Sequence, residues 1–208
     1  MTHIMTSKVV YTDIFGLGET DSLFSLVRRD SPARELFQGT INLREHQLPL
    51  FVPQPRHQCL EIQVAEDEEL MDHYDTIRDI AQAAKRTGKH EKYHTALIEA
   101  VRNAYQHGNN KDPKKKVTLH YSDNGLLFET VVSDEGGVLR ADFVPYIIFH
   151  RFSSLKRPYD FYQFSGVPQL PENSGMGTYI IHGQCDEVHY LTNDKGGLSV
   201  KMIVRKEQ

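Results

Sequence analysis

Cysteine is nearly absent from this chain. Cys59 and Cys185 are the only two, and they stand far apart without the close pairing of a metal knuckle. This argues against a disulfide-stapled secreted fold and makes a reducing, cytoplasmic compartment the expectation. Long apolar runs are missing as well. No stretch approaches the roughly 20 residues that cross a bilayer, and Met1 to Lys8 lack the basic-then-apolar order of a secretory leader. Nor is there a positive surplus: 24 lysines and arginines face 28 aspartates and glutamates, a net charge of −4. A protein that coats nucleic acid or an anionic membrane needs the opposite balance. What remains is ordinary globular composition, 39% hydrophobic and 25% charged. A length of 208 residues suits one well-cored domain with an appendage. It is too short for a catalytic domain joined to several sensor domains, so any output is expected to pass to a partner.

Composition shifts once, near residue 50. Gln47 to Pro55 holds Pro49, Pro53 and Pro55 and reads as an extended linker. The residues before it mix short apolar runs with glycine, as in Ile14-Phe15-Gly16-Leu17-Gly18. They leave three options open: a small subdomain, a partner-binding arm, or a strand added to the main sheet. Beyond the linker, Cys59 to Val64 alternates as a half-buried strand does. Leu70, Tyr74, Ile77, Ala81 and Ala84 recur at helical spacing from Glu66 to about Arg86, with acids crowding the first turns. A second helix is expected from about Glu91 to Gln106, with Tyr93, Leu97, Ala100 and Ala104 as its apolar stripe. His107-Gly108-Asn109-Asn110 would end it, the glycine supplying a left-handed residue. Val117 to Tyr121 and Leu126 to Ser133 read as a hairpin about Asp123-Asn124-Gly125. Gly175-Met176-Gly177 opens a short helix to His182, and Glu187–Leu191 and Leu198–Val204 close the chain as strands. This order predicts an α+β two-layer sandwich, helices on one face of a mixed, mostly antiparallel sheet.

Chemistry concentrates in the second helix, along Glu99-Ala100-Val101-Arg102-Asn103-Ala104-Tyr105-Gln106-His107-Gly108-Asn109. Glu99 and Asn103 stand one turn apart, away from the apolar stripe. A carboxylate beside an amide oxygen suits a site where one group takes a proton and the other holds a hard cation such as Mg²⁺. A solvated helix face with a C-cap has the same pattern. Asp134-Glu135-Gly136-Gly137 follows a strand, where an Asp can accept a hydrogen bond from an exocyclic amine such as adenine N6. By itself that sequence is a turn. Gly175-Met176-Gly177-Thr178 starts a helix whose free N–H groups and dipole favour phosphate.

As an ordered set these three elements resemble the GHKL ATPases, with their Bergerat nucleotide fold, and are most similar to the small anti-sigma serine kinases. The run from Glu99 to Asn109 looks like that group's N box, Asp134–Gly137 like its G1 box and Gly175–Thr178 like its G2 box. Cys185 to Val188 and Lys195-Gly196-Gly197 look like its closing strands. The likeness covers about residues 59–208, so the chain divides into an extension and proline-rich linker over 1–55 and an ATP-binding domain over 56–208. It implies Glu99 as the base for an attacking hydroxyl and Asn103 as the Mg²⁺ ligand. Asp134 would read adenine, Gly136 and Gly137 would let the base pack, and Gly175, Gly177 and Thr178 would hold phosphates. His107 would line the phosphate side. The implied cofactors are ATP and Mg²⁺, and the implied activity is serine/threonine phosphorylation in a partner-switching module. Its partners would be an anti-anti-sigma-like substrate, a sigma-like factor, or a second copy of the chain. Two positions depart from the pattern: Val138 stands where G1 usually has another glycine, and Leu198 follows Gly197 where a threonine usually supports adenine. A regulatory binding protein with a degenerate site is the alternative.

Other signals compete. His90-Glu91-Lys92-Tyr93-His94 matches the zinc-protease pattern, but its flanks Lys85, Arg86, Lys89 and Lys92 are charged where a buried zinc helix is apolar. A zinc hydrolase is the distant alternative. Lys111 to Lys116 is a basic run that reads as a solvated turn rather than a nucleic-acid patch. Residues 145–174 carry Tyr146, Phe149, Phe152, Tyr159, Phe161, Tyr162 and Phe164 with Arg151, Lys156 and Arg157. They are expected to form a lid that also meets a protein partner.

Overall fold

The computed structural model describes residues 39–45, 49–86, 92–143, 146–147, 160–166, 168–169 and 174–205. Strands β2 (Gln58–Ile62), β3 (Val117–Asp123), β4 (Leu127–Ser133), β6 (Glu187–Thr192) and β7 (Leu198–Arg205) form one sheet in the order β2-β3-β4-β7-β6. Alternation explains it. Val117, Leu119, Phe128, Val132, Met202 and Val204, every second residue of the central strands, are at most 1% exposed. Their neighbours Glu129, Lys201 and Ser199 sit on the other face. The turn between β3 and β4 uses Gly125 at φ 86°, with the Asn124 side-chain oxygen accepting the N–H groups of Leu126 and Leu127. The expected α+β sandwich is therefore present. Each of the sheet's four ladders is antiparallel, and among the described residues parallel pairing is confined to the isolated bridge Leu50–Thr192.

The helices are α1 (Asp67–Asp72), α2 (Tyr74–Gln82), α3 (Tyr93–Asn103), α4 (Phe161–Ser165) and α5 (Gly177–Gln184). Leu70, Ile77, Ala81 and Ala84 are buried as their spacing requires, yet the single helix expected over 66–86 is broken. His73 separates α1 from α2, its N–H bonding the Leu70 carbonyl in a tighter turn. Residues Ala83–Arg86 finish as a 3₁₀ turn. The apolar stripe survives this because a tightened turn shifts the phase only slightly. α3 is the middle helix, packed between α2 and α5. Tyr93, Leu97, Ala100 and Ala104 all face the sheet, and the Tyr93 hydroxyl is satisfied by Thr130 Oγ1 at 2.5 Å.

The segment ahead of β2 is extended, as three prolines demand, and lies on the sheet face away from the helices. Phe51 N–H donates to the Thr192 carbonyl at 2.7 Å, and Thr192 N–H donates to the Pro49 carbonyl at 3.0 Å. The Phe51 ring meets His57 and His120 with centroids 5.8 and 5.2 Å away. His57 Nε2 then reaches Glu129 Oε1 at 2.9 Å, and Lys201 Nζ takes Oε2 at 2.8 Å. Further upstream, β1 (Thr40–Asn42) pairs antiparallel with β5 (Val138–Arg140), outside the main sheet. Among the described residues no helix is long and apolar enough to cross a membrane.

Candidate functional site

The far end of α3 does not stop at a glycine cap. Ala104–Gly108 continue as a π-turn, which widens the helix where its polar residues emerge. The left-handed residues that follow are Asn110 and Lys111, at φ 54° and 56°, and not Gly108. Gly108 serves packing instead: a Cβ there would overlap Cγ and Oδ2 of Asp134. Asn109 then fixes the neighbouring turn. Fully buried, its Oδ1 accepts Glu135 N–H at 2.8 Å and its Nδ2 donates to the Lys116 carbonyl at 3.0 Å.

Asp134 ends β4 and is only 4% exposed. Its Oδ1 accepts two backbone N–H groups, from Gly136 at 2.8 Å and Leu198 at 3.1 Å. Burial raises this carboxyl from 3.8 to about 6, the two N–H bonds only partly offsetting the effect. The two N–H bonds orient the carboxyl through one oxygen, and a carboxylate's other oxygen can still accept from a ligand amine. Asn193 secures the opposite side, with Nδ2 donating to the Asp134 carbonyl at 2.9 Å and Oδ1 accepting Gly197 N–H at 3.0 Å. Gly197 leaves no room for a side chain against Asp134.

Glu99 and Asn103 meet the start of α5. A Cβ on Gly177 would stand 2.8 Å from Glu99 Oε2, 3.2 Å from Asn103 Nδ2 and 3.5 Å from Asn103 Oδ1. Gly177 thus lets the N-terminus of α5 abut both side chains. Burial holds the Glu99 carboxyl above its ordinary value, with Arg102 (NH1 3.8 Å from Oε1) pulling the other way. A raised carboxylate is a better proton acceptor. Thr178 is buried in the first turn of α5. His107 is exposed, yet the protein packed around it and, after that, Arg140, Arg102 and Lys111 hold its imidazole below the ordinary value. Each of those three cations is itself ion-paired, with Asp142, Glu99 and Asp67 respectively.

The remaining glycines have particular neighbours. Gly136 abuts the Gly108 backbone, where a Cβ would overlap the carbonyl, so this glycine lets the turn after β4 rest on the end of α3. Gly137, at φ 81°, comes close to the Gly196 carbonyl. Gly175, at φ 69°, presents its carbonyl to the Tyr146 hydroxyl at 2.7 Å and Phe161 N–H at 3.0 Å. Phe143, Tyr146, Phe161 and Tyr162 stack there edge to face, with the Arg140 guanidinium 5.2 Å from the Phe161 ring centre. Of these four, Tyr146, Phe161 and Tyr162 belong to the segment expected as a lid. Residues 148–159, with Phe149, Phe152, Tyr159, Arg151, Lys156 and Arg157, lie outside the described residues, as does the Phe164 side chain.

Of the two departures, Leu198 is split in function. Its main chain supports Asp134 while its side chain packs on the core, so no hydroxyl stands there on the helix side. Val138 opens β5 and is a paired strand residue. The zinc motif falls partly on His90 and Glu91, outside the described residues; among the described ones no cluster of His, Cys, Asp or Glu could hold a metal. Lys111 and Lys116 of the basic run pair with Asp67 and Glu61, both at 2.7 Å.

The chain belongs to the family of histidine kinase-like ATPase domains, which matches residues 68–204. This is the GHKL type of ATP-binding domain, and the N box, G1 and G2 resemblances all fall within the matched stretch. No curated protein matches the chain in a whole-sequence comparison. The residues present fit the nucleotide such domains bind: a buried carboxylate oriented by backbone N–H groups, and backbone turns kept open by glycine.

Proposed function

We propose that this protein is an ATP- and Mg²⁺-dependent serine/threonine protein kinase of the anti-sigma-factor type, acting on a partner protein. The observation that carries this reading is the convergence of Glu99 Oε2 and the Asn103 amide on Gly177 at the start of α5. It sets a proton acceptor and a neutral oxygen ligand beside a helix N-terminus, the three groups phosphoryl transfer needs. Mg²⁺ commonly binds through one or two protein oxygens plus phosphates and waters, so Asn103 suffices as its protein ligand. The metal would neutralise charge on the phosphates. Glu99 would take the proton of the partner's hydroxyl as that oxygen bonds to the γ-phosphorus. The bond from the γ-phosphorus to the β–γ bridging oxygen would break, releasing ADP. The added charge would then change which partner is held.

Binding of a non-hydrolysable ATP analogue, with and without Mg²⁺, tests the site. The wild type should bind more tightly with Mg²⁺, and Asn103→Ala should lose about tenfold or more of that Mg²⁺-dependent gain. Transfer of labelled γ-phosphate into protein from the native cell tests the chemistry. Glu99→Gln should bind the analogue as the wild type does while transfer falls by 10² to 10⁴, roughly the range of one general base. No analogue binding by the wild type would sink the proposal. A second reading, a nucleotide-dependent binding protein without transfer, is favoured by the missing hydroxyl at Leu198; binding with no labelled product would establish it.

A further inference from the structure

Leu43 and Arg44 precede the matched stretch by more than twenty residues, yet they touch both turns that hold Asp134. Leu43 is 2% exposed, and its N–H donates to the Gly137 carbonyl at 3.0 Å, directly behind the Asp134–Gly136 turn. Arg44 reaches the other turn. Its NH2 donates to the Lys195 carbonyl at 2.9 Å, and its side chain lies over Gly196, where a Cβ would come within 3.0 Å of Arg44 Cγ. That turn carries Asn193, whose amide holds the Asp134 carbonyl. β1, immediately before Leu43, pairs Asn42 with Val138, Ile41 with Leu139 and Thr40 with Arg140.

We propose that Leu43 and Arg44 are positioning residues for the nucleotide site: they bracket the 134–137 and 193–197 turns, so adenine recognition depends on a segment outside the family domain. The inference rests on Asp134 being the carboxylate that reads the nucleotide. It also accounts for Val138. A glycine in the strand weakens pairing, whereas a β-branched residue supports it, so the departure from the usual glycine and the presence of β1 are one adaptation. The other ties of the two turns are hydrogen bonds, chiefly through Asn109 and Asn193. Gly137 and Gly196 approach each other without side chains, so the bracket supplies packing that the turns themselves lack.

The test uses full-length protein and ADP as the probe, with calorimetric binding measured from pH 5 to 8 and melting temperature recorded beside it. Arg44→Ala should weaken ADP about fivefold, the worth of one net hydrogen bond, with little change in melting temperature. Arg44→Lys keeps a donor for the Lys195 carbonyl and should recover much of the loss. Leu43→Ala should weaken ADP further and also lower the melting point. In both alanine variants, water reaching a loosened Asp134 should move the acid midpoint of binding below that of the wild type. ADP affinities equal to wild type, or losses that follow melting temperature with no shift of the acid midpoint, would overturn the proposal. A wild type that takes up no ADP would instead overturn the nucleotide reading, and this inference with it.

Discussion

Asp134→Asn is expected to abolish nucleotide binding and, at neutral pH, to make the protein more stable. Burial raises the Asp134 carboxyl to about 6, above its ordinary 3.8, so the ionised form is disfavoured in the fold. The sign follows from linkage. A raised pKa contributes stability that is full below the unfolded value and is lost as pH rises through the folded one, here between about 4 and 6. At pH 7 the wild type therefore carries a buried charge that two N–H bonds only partly compensate, and removing it should gain roughly 1–3 kcal/mol. The Asn side-chain oxygen can keep the Gly136 and Leu198 N–H bonds. Its Nδ2 would replace Oδ2 and present a donor where an exocyclic amine also donates. The loss of a charge-assisted bond and the donor clash together predict at least a 10²-fold drop in affinity. Wild-type affinity should itself decline as pH falls below about 6, while melting temperature rises; the variant should show neither trend. Melting and nucleotide titrations across pH 4 to 8 check both.

Gly108→Ala carries the second large effect, and its sign separates two roles for that glycine. Gly108 is not left-handed, so helix propensity alone predicts that alanine stabilises by about 0.5–1 kcal/mol. Packing predicts the reverse. The new methyl would occupy the space of the Asp134 carboxyl, which is held by the Gly136 and Leu198 N–H groups while Asn193 holds the main-chain carbonyl, so it has little freedom to retreat. Overpacking of this kind costs about 1–3 kcal/mol, and displacing Asp134 should lower nucleotide affinity by at least about 30-fold. Denaturant unfolding and ADP titration measure the two quantities. A stabilised variant with unchanged affinity would remove Gly108 from the site.

The sequence made the α3 stripe and the hairpin strands legible because their periods are local. Tyr93, Leu97, Ala100 and Ala104 repeat at helical spacing and are buried as that spacing requires. Glu99 and Asn103 were legible for the same reason: one turn of helix sets them side by side. Gly108 was misread because its constraint comes from Asp134, many residues downstream, and no local pattern distinguishes a glycine kept small by a distant carboxylate from one that caps a helix. Asn109 and Asn193 escaped notice likewise. Each is a buried amide bridging segments remote in sequence, and an asparagine beside a glycine otherwise reads as a turn. The pairing of β1 with β5 had no signal in the glycine-containing, mixed segment around it. Its one trace was Val138, where a strand-forming residue replaces an expected glycine.

The ladder between β4 and β7 joins residues 127–133 to 199–205 and lies at the centre of the sheet. Such pairing has high contact order, so the chain must close a long loop before this ladder repays the entropy lost. During synthesis β4 has its β3 partner early, but its other edge stays open until residues 199–205 have emerged. Asp134 and Leu198 sit at the end of that seam, which makes the acceptor for nucleotide one of the last features to form. A ligand bound only there favours the completed fold by mass action. Nucleotide would then act as a late folding aid for the domain that binds it.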